Sequence, residues 1–340
     1  MSLKWSKRDS IIKTLCCLAL AVGSGAYAAA SSTIAQEEYN IPPSIRFTLD
    51  REESSSPIIY YLSLPDAAEQ PYPIFIICDG SLSKGNLTSV LFMRQHPALA
   101  SKIEPLNVGC LGVEKWGIDG NESNEEEFWQ HYTRSQRLND HLRVIHHLQE
   151  HPPIGWNGKI LLLGASEGGP LVTDLSILCP NVTATIVWSG AGDWSWADEL
   201  WQFMENLKQD PLWSQMQPPL DSSDTPFPET REEFDALVET IKAHPTADQR
   251  MCGMTYLYLA DAFQWSFVDY GKIQAPFLVV TGTEDSIIAS SDLFVQKARD
   301  VGAPITYFRI DGMDHYVRKR PDVIDRSFEW LKQQLQGQVE

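Results

Sequence analysis

Short runs of apolar residues recur along the chain, each followed by a polar or glycine-rich stretch. Examples without any polar position are Ile74–Cys78, Ile160–Leu163 and Phe277–Val280. A short unbroken apolar run is typical of a strand that is buried on both faces, as in a parallel sheet. The pattern therefore predicts several parallel strands in the interior of the protein.

Other runs extend this sheet. Ile45–Leu49 and Ile58–Leu64 alternate and predict an opening antiparallel pair of strands. Further strands are predicted at Leu106–Val113, Ala184–Trp188 and Ile305–Ile310. Helical patterns fall between the strands, over about 87–103, 122–149, 292–298 and 322–336. Strands that alternate with helices predict an α/β fold with a mostly parallel sheet, in which ligands bind at the carboxyl ends of the strands.

The pattern changes between residues 193 and 270. This stretch has little strand character and holds helix-like segments near 196–207, 230–243 and 248–268, separated by prolines. We interpret residues 193–270 as an inserted helical cap on a core domain of residues 31–192 and 271–340. Its five tryptophans either line an acyl or aromatic pocket or simply pack the cap: Trp194, Trp196, Trp201, Trp213 and Trp265.

One apolar run leads into the motif on which the functional prediction depends. Ile160–Leu163 is followed by G-A-S-E-G, from Gly164 to Gly168, and then by a helix-like segment. A strand that turns directly into a helix forces the central serine into a strained conformation, and the glycines leave room for the backbone. The motif predicts a nucleophile elbow that exposes the Ser166 hydroxyl, with an ordinary glycine-rich turn as the alternative.

A serine nucleophile needs a base, usually histidine. His315 lies in the loop after the strand at 305–310, where it could meet Ser166 at the strand ends. The other seven histidines lie on predicted helices or at their ends, where surface or structural roles are expected. We therefore predict His315 as the general base.

The base needs a carboxylate to orient it. Asp285 follows the strand at 277–280 in a short turn and is the preferred acid. The adjacent Glu284 remains an alternative, and Asp311 and Asp314 are more distant ones that are expected to shape the histidine loop.

Two backbone N–H groups are expected to bind the oxyanion of the transition state. One belongs to Glu167, the residue after the nucleophile. The other is assigned to Ser81, in the loop after Ile74–Cys78, where Gly80 permits close approach of the chain. The alternative is that Asp79-Gly80-Ser81 is only a turn.

Residues 1–30 have the pattern of a signal peptide. Lys4, Lys7, Arg8 and Lys13 precede a short apolar run that is too short for an ordinary membrane span, and Ala26-Tyr27-Ala28 fits a cleavage site. We expect export to the periplasm or secretion, with no stable membrane span after cleavage. A retained N-terminal anchor is the alternative.

Composition narrows the classes of partner. The formal net charge of −18 at pH 7 makes nucleic acid an improbable partner. No CxxC or Cys/His spacing indicates a metal site. Because an exported protein can form disulfides, pairing of Cys179 with Cys252 stays open.

The order Ser166, Asp285, His315 resembles that of the α/β-hydrolase family. The motifs G-A-S-E-G, D-G-S, G-T-E-D and G-M-D-H carry the resemblance, which covers about residues 45 to 336. Family members typically have His-Gly where this chain has Asp79-Gly80. The resemblance implies an α/β-hydrolase fold with a helical cap and acyl transfer to water, in which His315 takes the proton of Ser166 and an acyl-enzyme forms.

We therefore expect an exported serine hydrolase, carboxylesterase-like, that cleaves small or medium acyl esters without a cofactor or metal. A serine peptidase or amidase of the same fold, acting on short peptides, is the first alternative. A non-catalytic binding module that kept the fold is the second.

Overall fold

The computed structural model describes residues 44–51, 54, 56–65, 67–81, 97–120, 122–208, 223–265 and 268–336. The described chain forms two compact units, of which the smaller is Trp194–Trp265 and the larger contains the remaining described residues. The predicted signal peptide and most of the helix predicted over 87–103 lie outside the described residues. Among the described helices, none combines the length and the apolar character that crossing a membrane requires.

The larger unit is built on an eight-stranded sheet. Its strands are, in chain order, β1 (Ile45–Leu49), β2 (Ile58–Ser63), β3 (Tyr72–Cys78), β4 (Gly109–Val113), β5 (Trp156–Ala165), β6 (Val182–Trp188), β7 (Phe277–Gly282) and β8 (Ile305–Ile310). They lie in the order β1-β2-β4-β3-β5-β6-β7-β8. β2 pairs antiparallel with β1 and with β4, and the other neighbours in the sheet are parallel. The predicted mostly parallel sheet is confirmed.

Helices alternate with these strands. The α-helices of the described residues are, in chain order, α1 (Pro97–Ile103), α2 (Glu125–His131), α3 (Arg134–Glu150), α4 (Gly168–Leu178), α5 (Trp196–Lys208), α6 (Arg231–Ala243), α7 (Tyr256–Phe263), α8 (Ile288–Asp300) and α9 (Pro321–Gln336). Helices α5, α6 and α7 belong to the smaller unit, and the others belong to the larger unit.

The central strands are apolar throughout because both faces of the sheet are covered. In β3, Ile74 and Ile76 join the apolar cluster formed with α3, α4 and α8. Phe75 and Ile77, between them in sequence, join the opposite cluster with α1 and α9. Since full burial of such a side chain stabilises the fold by about 1.5–3 kcal/mol, each of these strands is held from two sides.

The prediction of one helix over about 122–149 is wrong, because the chain forms two helices, α2 and α3, which are separated near the centre of this range. Tyr132 and Thr133 are extended between α2 and α3. The Thr133 side-chain oxygen accepts the backbone N–H of Gln136 at 3.1 Å and caps α3. A threonine cap of this kind satisfies one of the free N–H groups of a new helix, which makes the break stable.

The smaller unit has its own aromatic packing. The ring of Phe227 lies 5.6 Å from that of Trp201 and 5.2 Å from that of Phe234. The helix predicted over 248–268 is shorter than expected, because Arg250–Met251 and Met254–Thr255 form a small hairpin before α7. The role of residues 193–270 as a cap stays a prediction.

The described residues contain four cysteines, all of them free thiols: Cys78, Cys110, Cys179 and Cys252. The disulfide that the sequence left open between Cys179 and Cys252 is therefore not formed in this structure. In the part of the chain that the structure describes, no group of three or more His, Cys, Asp or Glu side chains is arranged to hold a metal ion.

Candidate active site

Ser166 occupies the sharp turn between β5 and α4. Its φ of 53° lies in the left-handed region, which non-glycine residues adopt only when the surroundings impose it. Two backbone hydrogen bonds hold the turn: Ser166 N–H donates to the Trp188 carbonyl at 2.9 Å, and the Ser166 carbonyl accepts the N–H of Gly169 at 2.8 Å. The half-buried Ser166 is thus fixed at the carboxyl end of the central strand.

The glycines of the motif are required by close backbone packing. A Cβ on Gly164 would lie 2.3 Å from the Gly168 carbonyl oxygen. A Cβ on Gly168 would lie 2.1 Å from the carbonyl oxygen of Cys78, at the end of β3. Both distances are far below a van der Waals contact, so the strand–turn–helix geometry around Ser166 depends on the absence of these side chains.

The structure brings Ser166, His315 and Asp285 together. His315 Nε2 lies 3.0 Å from Ser166 Oγ. His315 Nδ1 lies 3.1 Å from each carboxylate oxygen of Asp285. The Asp285 side chain is fully buried, whereas that of His315 is 22% exposed. This arrangement gives Ser166 a base within hydrogen-bond reach, and it gives the base a buried orienting carboxylate.

Two loops are joined so that His315 and Asp285 meet. Gly282 packs so tightly against the loop after β8 that an added Cβ would lie 1.8 Å from the Met313 carbonyl oxygen. The same oxygen accepts the N–H of Glu284 at 3.0 Å, and Thr283 Oγ1 accepts the N–H of Gly312 at 2.9 Å. The G-T-E-D and G-M-D-H segments therefore hold each other in register.

The alternative acids point elsewhere. Glu284 is exposed. Asp311 accepts a long hydrogen bond from the Thr283 hydroxyl at 3.4 Å. Asp314 accepts the N–H of Tyr316 and an ammonium bond from Lys319, each at 2.8 Å. Of the four acids that the sequence offered, Asp285 is the one in contact with His315.

The predicted oxyanion donors flank Ser166. Glu167 is the residue that precedes the first turn of α4, and its buried carboxylate accepts the Tyr132 hydroxyl at 2.7 Å. On the other side, a Cβ on Gly80 would lie 3.2 Å from Ser166 Cβ, so the chain at Gly80 runs directly beside Ser166. The assignment of the Glu167 and Ser81 N–H groups as oxyanion donors stays a prediction.

The sequence itself matches a known family over this part of the chain. Residues 119–317 match the family described as serine aminopeptidase, S33. The chain belongs to this family. No curated protein shows significant sequence similarity to this chain. Members of the S33 family have the α/β-hydrolase fold, and the chain is a serine hydrolase.

Solved structures show the same fold. A carboxyl esterase from Bacillus coagulans aligns with a TM-score of 0.58 and 12% identity, over 86% of this chain and 98% of its own. Est1E from Butyrivibrio proteoclasticus aligns with a TM-score of 0.52 and 15% identity, over 85% of this chain and 98% of its own. An acylaminoacyl peptidase from Pyrococcus horikoshii aligns with a TM-score of 0.53 and 14% identity, but this chain spans only 41% of its length.

This S33 family member has two buried basic side chains, Lys115 and Arg137, at the loop beside Ser166, and sequence reasoning missed both. Lys115 Nζ donates to the Gly80 carbonyl and lies 3.4 Å from Asp79 Oδ1. Arg137 Nη2 donates to the backbone carbonyl of Asp79 at 3.0 Å and to its carboxylate at 2.8 Å. We name Asp79, Lys115 and Arg137 the Asp79 cluster. One signal was available, because Arg137 precedes the buried His141 by four residues on the inner face of α3.

Burial controls the protonation of the groups around the Asp79 cluster. It lowers the pKa of Lys115, although the nearby Asp79 carboxylate opposes this shift. It raises the pKa of Glu114 to about 9, so that this carboxyl group is neutral at pH 7. Burial and the charge of Arg137 lower the pKa of His141 to about 3. His141 is therefore neutral, and its Nδ1–H donates to the Arg137 carbonyl at 2.8 Å.

Proposed function

We propose that this chain hydrolyses acyl esters through a Ser166–His315–Asp285 triad and an acyl-enzyme intermediate. The observation that carries the proposal is the continuous series of contacts from Ser166 Oγ through the imidazole to Asp285, at 3.0 Å and 3.1 Å. The buried Asp285 carboxylate holds the proton of the ring on Nδ1, so that Nε2 can accept the serine proton.

The reaction then follows from the positions of these groups. As Ser166 Oγ attacks the ester carbonyl, its proton moves to His315 Nε2, and the imidazolium is stabilised by Asp285. The N–H groups of Glu167 and Ser81 donate hydrogen bonds to the negatively charged carbonyl oxygen, and the N-terminus of α4 stabilises that charge. His315 gives the proton to the leaving alcohol, and water releases the acid by the same steps in reverse.

Esters are the proposed substrate class because this chain aligns with a carboxyl esterase over nearly the whole length of that esterase. The carboxyl esterase from Bacillus coagulans aligns with this chain over 98% of its length, as does Est1E, so the chain corresponds to nearly the whole of each. The family description favours a second candidate function, a serine aminopeptidase that removes an N-terminal residue from a short peptide. The same triad supports both reactions, since each begins with attack of Ser166 on a carbonyl.

A substrate panel separates the two candidates. We expect the purified protein to hydrolyse p-nitrophenyl acetate, butyrate and hexanoate with a much higher kcat/KM than aminoacyl p-nitroanilides. Faster cleavage of the anilides that carry a free amino group would instead support the aminopeptidase. Absence of turnover on every substrate, with rates equal to those of Ser166→Ala, would favour a binding module.

We also propose export, which the basic leader and short apolar run of residues 1–30 support. Expression of the full chain in a bacterium with fractionation of the cells should yield a protein in the periplasm or medium whose N-terminus lies close to residue 30. Recovery of an intact N-terminus in the membrane fraction would instead support a retained anchor.

A further inference from the structure

The peptide group between Gly80 and Ser81 is hydrogen-bonded on its carbonyl side to the amino group of Lys115. Its carbonyl oxygen, on Gly80, accepts a hydrogen bond from Lys115 Nζ. Its N–H belongs to Ser81. The peptide bonds of the described residues are all trans, so the C=O and N–H of this peptide point in opposite directions. A contact that fixes the carbonyl therefore also fixes the direction in which the Ser81 N–H points.

The Lys115 amino group cannot easily move away from this contact. The Lys115 side chain is 3% exposed, as is that of Arg137. Arg137 holds the residue before Gly80 through two hydrogen bonds, one to the Asp79 carbonyl and one to its carboxylate. Since a buried charge must keep its partners to avoid a large desolvation penalty, the Asp79 cluster fixes the backbone of this loop at consecutive residues.

The charges of the cluster also matter for the reaction. Asp79 immediately precedes Gly80, and its negative charge would repel an oxyanion that develops beside this loop. Lys115 and Arg137 place two positive charges on that carboxylate and offset the repulsion. A cationic donor on the carbonyl side of a peptide further polarises the peptide, which strengthens its N–H as a donor on the other side.

We propose that Lys115 is a positioning residue that orients and polarises the Gly80–Ser81 peptide, so that the Ser81 N–H is presented to the oxyanion of the tetrahedral intermediate. The inference rests on the proposed function, because it assumes that Ser166 attacks a carbonyl. It assigns a task to Asp79 as well, which is to hold Lys115 and Arg137 at this loop. Lys115 itself does not touch the substrate.

The test compares Lys115→Met with Lys115→Gln, which can still donate a hydrogen bond but carries no charge. Rates are expressed per active site, counted by titration with a fluorophosphonate, so that misfolded protein does not contribute. Removal of one oxyanion donor typically costs about 10²–10³-fold in kcat, and a misdirected donor less, so we expect a loss of roughly 10- to 100-fold for Lys115→Met. KM should change little, and Lys115→Gln should lie between Lys115→Met and the wild type.

An aryl boronate gives the readout that a purely structural role would not move. Bound to Ser166 it is tetrahedral and anionic, as the intermediate is, so its inhibition constant should rise by the same factor as kcat falls. The matched control is Lys102→Met, the same substitution at a lysine whose 2.8 Å ion pair, with Asp325, lies outside the Asp79 cluster. We expect this control to keep the wild-type boronate affinity and per-site kcat.

The outcomes are separable. Wild-type per-site kcat and boronate affinity in Lys115→Met, with an inactive Ser166→Ala, would overturn the role of Lys115 and leave the proposed function intact. Full activity of Ser166→Ala would overturn the proposed function itself. If Lys115→Met fails to fold, Lys115→Gln decides: a loss of kcat matched by weaker boronate binding supports the role, and unchanged values refute it.

Discussion

The contact between α4 and the end of β3 makes Gly168→Ala a sharp test of how the site is assembled. The added Cβ would lie 2.1 Å from the Cys78 carbonyl oxygen, 2.7 Å from the Cys78 carbonyl carbon and 2.8 Å from the Asp79 carbonyl oxygen. All three are backbone atoms, and real Cβ contacts below 3.0 Å essentially do not occur. The helix and the strand end must therefore separate by about 1 Å to accept the methyl group.

The displacement is expected to lower both the free energy of unfolding and kcat, because it moves backbone next to Ser166. Overpacking of this kind costs about 1–3 kcal/mol of the free energy of unfolding. The displaced Cys78–Asp79 backbone leads directly to Gly80 and Ser81, and the displaced helix end carries Ser166. Since a misplacement of about 1 Å can cost on the order of 10²-fold in rate, we expect kcat to fall by that factor.

Urea unfolding and p-nitrophenyl acetate turnover per titrated site measure the two effects. Gly271→Ala is the matched control, because among the described residues its Cβ would meet only Asp269 Oδ1, at an ordinary distance of 3.6 Å. We expect the control to resemble the wild type in both assays. If Gly168→Ala matched Gly271→Ala in stability and in kcat, the close approach of α4 to β3 would not be what positions the nucleophile.

Two further predictions concern single carboxyl groups. Burial raises the pKa of Glu114 from 4.5 to about 9, so between these pH values the folded protein binds more protons than the unfolded chain. The free energy of unfolding therefore falls as the pH rises through this range, and the loss reaches about 3 kcal/mol at pH 7. Glu114→Gln should flatten this dependence in urea unfolding at pH 5 and 8.5, and a slope equal to that of the wild type would contradict the assignment. Asp285→Asn should lower kcat by about 10⁴-fold with an unchanged circular dichroism spectrum, because the amide no longer holds the Nδ1–H tautomer of His315; near-normal turnover would reject Asp285 as the orienting acid.

Much of the larger unit could be predicted because its signals are local. An apolar run such as Ile74–Cys78 requires a strand with both faces covered, and the structure buries every residue of it. Each residue proposed for the triad follows a predicted strand, and parallel strands bring their carboxyl ends to one edge of the sheet. Three positions that are distant in the sequence were therefore expected to meet.

The features that were missed depend on distant partners. Lys115 and Arg137 are charged, and charged side chains are rarely buried, so sequence reasoning did not place them in contact with Asp79 and Gly80. The break between α2 and α3 was missed for a related reason. Thr133 could have been a helical residue, and the break beside it comes with a contact to a distant residue, because the hydroxyl of the extended Tyr132 donates to the Glu167 carboxylate.

The proposed oxyanion donors, Glu167 and Ser81, lie at the limit of what a sequence can predict. A backbone N–H is supplied by any residue except proline, so residue type alone could not identify Glu167 or Ser81. The G-x-S-x-G motif located the first through its position next to Ser166. The second depended on the glycine at position 80, whose missing side chain allows the chain to approach Ser166 Cβ.

The most direct test of the central claim is to identify the side chain that reacts with a fluorophosphonate by mass spectrometry of the digested protein. We expect one adduct, on Ser166, which is absent in Ser166→Ala and forms far more slowly in His315→Ala, since the imidazole 3.0 Å from the hydroxyl activates it. An adduct on another residue, or labelling of Ser166→Ala at the wild-type rate, would contradict the assignment of Ser166 as the nucleophile.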